Sequence, residues 1–140
     1  MGEIFVLVEH RQGKIRDITY EMLQAGETLA SQQGAFSTAV LLGHHAKNFA
    51  EELALRTSKV LVVEDVQLEH FNSILYQKVL SSLIAKYQPF LTLIGHTAFG
   101  MDLAPSLAVE LTFPLVTDSI GLSFEENRFK AVRSIYGGKV

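Results

Sequence analysis

Short unbroken apolar runs alternate along this chain with segments whose apolar residues recur every three to four positions. The runs are Ile4–Val8, Ala39–Leu42, Val60–Val63, Phe90–Ile94 and Leu115–Val116. They are continuous rather than alternating, the pattern of parallel strands covered on both faces. Between the first two, Met22, Gly26, Leu29 and Ala30 share a helical face, with Asp17 or Thr19 as candidate cap and Gly34 just past the end. Ala46, Phe49, Ala50, Leu53 and Ala54 form the apolar stripe of a second helix. A third is expected from Glu69 to Tyr87, with Phe71, Ile74, Leu75, Val79, Leu83 and Ile84 inward and Pro89 as its stop. The fourth is short, with Asp102 as N-cap, Leu103, Ala104 and Pro105 in its first turn, and Thr112-Phe113-Pro114 at its end.

Beyond Pro114 the pattern changes. Ser119–Glu125 and Arg128–Tyr136 flank Glu126-Asn127, which predicts a hairpin. Strands alternating with helices, followed by a two-stranded addition, predict an α/β fold. It would have a doubly wound, mostly parallel sheet and an antiparallel C-terminal hairpin. We find no internal repeat. Residues 1–136 read as one domain and 137–140 as the start of a linker.

Composition narrows the function. Of 140 residues 48% are hydrophobic, enough to build an ordinary core. A net charge of -3 with no basic run gives no general attraction to nucleic acid or to anionic lipid. The absence of cysteine removes disulfides, thiolate catalysis and iron–sulfur ligation. No segment approaches the ~20 apolar residues of a membrane helix. Ile4–Val8 reads as a first strand, not a signal peptide, so a soluble cytoplasmic protein without membrane insertion is expected.

The candidate chemistry gathers after the fourth run. Gly95, His96, Thr97, Gly100 and Asp102 lie between a strand and a helix, where backbone N–H groups and the helix dipole hold anions. The spacing of the two glycines matches a P-loop, but Met101-Asp102 stands where lysine and a hydroxyl residue are required. His10-Arg11-Gln12-Gly13 likewise lacks the dinucleotide fingerprint. A tight turn braced by Asp102 is the simpler reading. Five histidines, with His44 and His45 adjacent and no cysteine partners, make no metal site. His96 is the one placed where α/β ligands collect. No nucleophile elbow is present, and Glu51-Glu52, Glu64-Asp65 and Glu125-Glu126 read as solvated charge, leaving no catalytic residue.

Three motifs in order carry a resemblance. They are Gly100-Met101-Asp102-Leu103-Ala104-Pro105-Ser106-Leu107-Ala108, then Leu115-Val116-Thr117-Asp118, then Arg133-Ser134-Ile135-Tyr136-Gly137-Gly138-Lys139. With Ile4–His10 and Gly13-Lys14-Ile15 at the front, the chain resembles the N-terminal domain of electron transfer flavoprotein alpha subunits, including nitrogen-fixation and carnitine-type paralogues. It departs from the family's usual residues at Met101 and Ser106, both commonly arginine, and at Ser134, commonly proline.

The resemblance implies a fold like that of universal stress proteins and adenine-nucleotide alpha hydrolases. It also implies electron carriage from dehydrogenases to a quinone reductase through FAD. FAD would be held mainly by a following C-terminal domain of the alpha subunit, so an excised or naturally truncated segment like this one should not bind it tightly. Its role would be to dock the beta subunit, with Arg133, Tyr136 and Lys139 as candidate interface residues. The rival reading is a free-standing universal-stress-type module that binds AMP or ATP at Gly95–Asp102.

Overall fold

A computed structural model describes residues 2–118 and 131–135. The chain runs through β1 (Glu3–Leu7), β2 (His10–Arg11), β3 (Lys14–Ile15), α1 (Asp17–Gln33), β4 (Phe36–Gly43), α2 (Lys47–Leu53) and β5 (Lys59–Glu64). A single 3-10 turn, Val66–Leu68, then leads to α3 (Ser73–Tyr87), β6 (Leu91–Gly95), α4 (Ala98–Leu111), β7 (Leu115–Asp118) and β8 (Ala131–Ile135). Six strands form one sheet in the order β5-β4-β1-β6-β8-β7, every pairing parallel. The α/β expectation holds, and all five apolar runs are strands of this sheet.

Because strand side chains alternate between faces, the unbroken runs supply two cores. Ile4, Val6, Val8, Ala39, Leu41, Leu91 and Leu93 pack under Met22, Leu23 and Leu29 of α1 and Leu53 of α2. Phe5, Leu7, Val40, Leu42 and Ile94 pack under Tyr76, Leu80 and Ile84 of α3 and Leu103 and Leu107 of α4.

Four expectations need correction. Antiparallel pairing among the described residues is between β2 and β3, around Gln12 and Gly13. Both of those residues have positive φ, as a two-residue hairpin turn of matching twist demands. Of the hairpin expected after Pro114, Ser119–Glu125 and the turn lie outside the described residues. The second arm supplies β8, which is flanked on both sides by parallel neighbours. Helix α1 is preceded by Arg16 with no side-chain cap; Thr19 is buried instead and its hydroxyl serves Glu9.

The third helix begins four residues later than expected, because the Asn72 side chain accepts from Leu75 N–H and sets the first turn at Ser73. Tyr76, Leu80 and Ile84 are its buried residues, Leu75, Val79 and Leu83 pack beside them as expected, and of the expected inward set only Ile74 faces out, 80% exposed. The fourth helix starts earlier than expected, and its cap is Thr97, not Asp102. Asp102 lies exposed within α4, and Pro105 sits on the same solvent side, where its lost hydrogen bond disturbs no packing.

Candidate functional site

The chain winds outward from β1 to β4 and β5, then crosses to the opposite side of β1 to make β6. That reversal opens a crevice beyond the carboxyl ends of β1 and β6, the place where open α/β sheets bind ligands. The crevice receives Glu9 and His10 after β1, Gly95, His96 and Thr97 after β6, and the first turn of α4.

Gly100 fixes this geometry. A β-carbon there would overlap the carbonyl oxygen and carbon of Gly95 and lie 3.1 Å from Ile94 Cγ2. The first turn of α4 therefore rests directly on the end of β6. Gly95 is also tight, since an added β-carbon would meet Ile18 at 3.2 Å and Glu9 Oε1 at 3.4 Å. The two glycines are spaced for close backbone packing, which accounts for a P-loop-like spacing without a P-loop lysine.

Thr97 joins the two sides. Its hydroxyl accepts from Gly100 N–H at 3.2 Å and donates to Glu9 Oε1 at 2.7 Å. Glu9 is 8% exposed, and Arg16 Nε lies 3.7 Å from its other oxygen. His96 Nδ1 is 3.0 Å from the Ser134 hydroxyl, and the His96 backbone N–H donates to Ile135 O at 2.7 Å. At one of the family departures, then, a serine hydroxyl reaches the loop histidine.

Aromatic side chains fill the rest. Phe71 and Phe99 stack with centroids 4.5 Å apart, and Tyr76 meets Phe71 edge-on at 4.9 Å. The remaining cavity is about 10 Å³, the room of a single water. Arg16, just before α1, already faces Glu9. The described residues do not fit the pyrophosphate of a dinucleotide.

His10 sits at the rim. Its Nε2 is 2.6 Å from Leu42 O, which makes that nitrogen the protonated one. Tyr76 donates to the same carbonyl at 3.0 Å. Burial pushes the Tyr76 phenol up to about 12. An unfolded chain ionises this group near 10, so stability should hold below pH 10, fall by about 2–3 kcal/mol up to pH 12, and level off above. Urea unfolding across that range checks this, with Tyr76→Phe as comparator. Parallel declines in the two proteins would refute the assignment.

The paired acids Glu64 and Asp65 have structural partners. Glu64 accepts from the N–H groups of Ala46 and His45 and from His44 Nδ1, at 3.1, 2.7 and 2.9 Å. The two backbone bonds hold its carboxyl below the usual value. In effect it caps the entry to α2 from a neighbouring strand. Asp65 caps the 3-10 turn through Gln67 N–H. Among the described residues no group of three metal-ligating side chains occurs. Nor is any helix long and apolar enough to cross a membrane.

The structure thus brings Gly95, His96, Thr97 and Gly100 together and leaves Asp102 outside, on the exposed face of α4. Arg133 is half-buried on β8, between Leu93 and Val116. Tyr136 and Lys139 lie outside the described residues. Sequence reasoning missed Glu9, although a carboxylate directly after a buried first strand was its available signal.

Comparison with known proteins agrees with the architecture. An electron transfer flavoprotein domain model matches residues 4–140. The electron transfer flavoprotein subunit alpha of Bacillus subtilis is 35% identical over 141 residues, covering 99% of this chain and 43% of the relative. The corresponding subunit of Clostridium acetobutylicum is 34% identical over 140 residues, covering 98% and 42%. The acryloyl-CoA reductase electron transfer subunit beta of Anaerotignum propionicum is 32% identical over 128 residues, covering 91% and 35%. The chain therefore spans about two fifths of the length of the alpha subunits it matches. With a single family model covering nearly every residue, the chain belongs to the electron transfer flavoprotein domain family.

Proposed function

We propose that this chain is the N-terminal docking domain of an electron transfer flavoprotein alpha subunit. It packs against a beta subunit, and a further C-terminal domain of the alpha subunit holds most of the FAD. The assembled protein passes electrons from dehydrogenases to a quinone reductase, and this domain supplies surface and no catalytic group. The observation that carries the reading is the family match across residues 4–140 in a chain two fifths as long as its alpha-subunit relatives. The filled crevice supports it, because a domain that held its own nucleotide would need far more than 10 Å³ there.

Exposed apolar side chains fit a protein-facing surface. Val109 is 78% exposed, and with Pro105, Phe113 and Leu115 it lines an open groove between α4 and β7. Co-expression with the beta-subunit homologue of the same genome tests the proposal. A one-to-one complex should co-purify, and this chain alone should show no flavin absorbance. Failure to co-purify, or stoichiometric flavin on this chain alone, would overturn it.

A further inference from the structure

We propose that Glu9 is a built-in anion that holds the place of a ligand phosphate in the β1/β6 crevice and excludes phosphate by its charge. The inference rests on the docking reading and deepens it by naming the residue that opposes phosphate at the crevice. Two helices, α1 of 17 residues and α4 of 14, begin at this crevice. Their aligned dipoles make it attractive to negative charge. In a ligand-binding protein of this architecture, phosphate takes that position.

Here the negative charge comes from the chain itself. Glu9 Oε1 takes the Thr97 hydroxyl, which in turn takes Gly100 N–H, so the carboxylate reaches the first turn of α4 through one hydroxyl. Towards α1, Arg16 faces Oε2 at 3.7 Å, and Arg16 N–H donates to Glu9 O at 2.8 Å. Thr19 holds the same backbone from both directions, accepting from Glu9 N–H at 2.9 Å and donating to Glu9 O at 3.1 Å. Oε2 itself has no hydrogen-bond donor and belongs to a residue lining the small cavity. That carboxylate is buried, linked through Thr97 to the first turn of α4 and incompletely satisfied, as a fixed substitute for a better-solvated anion would be. A phosphate entering the crevice would meet like charge at short range in a poorly solvated site, where repulsion is strong.

The test compares Glu9→Ser, which removes the charge and opens space, with Glu9→Asp, which opens space but keeps the charge. Thermal melts are run in inorganic phosphate and in chloride of equal ionic strength. Phosphate should raise the melting temperature of Glu9→Ser by roughly several degrees, as expected for a ligand well above its Kd. It should leave the wild type and Glu9→Asp unmoved. Should Glu9→Ser fail to fold, Glu9→Ala also removes the charge and opens space, and its Gly100 amide resonance should shift on phosphate titration. Silence in each folded uncharged variant overturns the inference while the docking reading stands. An equal phosphate response in the wild type also overturns it. AMP binding to the wild type would overturn both readings, whereas failure to co-purify with a beta subunit would sink the docking reading alone.

Discussion

Gly100→Ala is expected to destabilise the domain by at least about 2 kcal/mol. Two effects oppose each other. Alanine in place of a helical glycine favours α4 by about 1 kcal/mol. Against that, the new methyl overlaps the Gly95 carbonyl, a backbone group that cannot rotate away. Overpacking of a well-filled site costs about 1–3 kcal/mol, and more where neither partner can give. Here the obstacle is a strand end shared by β1, β6 and β8, so relief requires α4 to lift from the sheet.

Gly34→Ala offers a useful contrast, because nothing lies within 4 Å of a β-carbon there. Its φ of 64° alone should cost about 1–2 kcal/mol. Equilibrium urea unfolding measures both. A Gly100→Ala midpoint at or above that of the wild type would show that α4 does not rest on Gly95 as described.

The second large effect concerns the phase of α3. Leu80→Ala should cost about 2–5 kcal/mol, because Leu80 is fully buried among Phe5, Leu7, Val40 and the α4 leucines. Ile74→Ser, on the same helix, should change stability by no more than about 0.5 kcal/mol, because Ile74 is 80% exposed. The sequence pattern alone placed Ile74 inward, so the pair of variants tests where the buried face ends. Comparable losses at both positions would contradict the helix orientation.

The reason for that misreading is physical. Apolar residues cover most of α3, and Ile74 lies at the edge of the broad inward stripe made by Leu75, Tyr76, Val79, Leu80, Leu83 and Ile84. Periodicity cannot fix where so broad a stripe ends. The choice was made by the Asn72 cap, which fixed where the helix starts, and by α4, whose Phe99 stacks on Phe71. Gln77 makes a further side contact, donating to Glu110 at 2.7 Å. The fourth helix was misread for a related reason. Asp102 is a favourable cap by composition, yet Thr97 captures Gly100 N–H first, because β6 delivers the chain there already turned.

What the residues determine locally is substantial. Continuous apolar runs of two to five residues, rich in Val, Ile and Leu, between helical segments leave a two-faced parallel sheet as the economical way to bury both sides. Their order along the chain, with the family motifs, carries the assignment to the electron transfer flavoprotein family as well. Tertiary structure alone decided the crevice. Glu9 and Thr97 are 88 positions apart, and nothing near either residue in sequence indicates that they will share a proton. Their meeting depends on β1 and β6 lying side by side and on Gly100 letting α4 descend onto Gly95. Local propensity acts over a few residues, whereas a charge buried between two helix ends is a property of the assembled sheet.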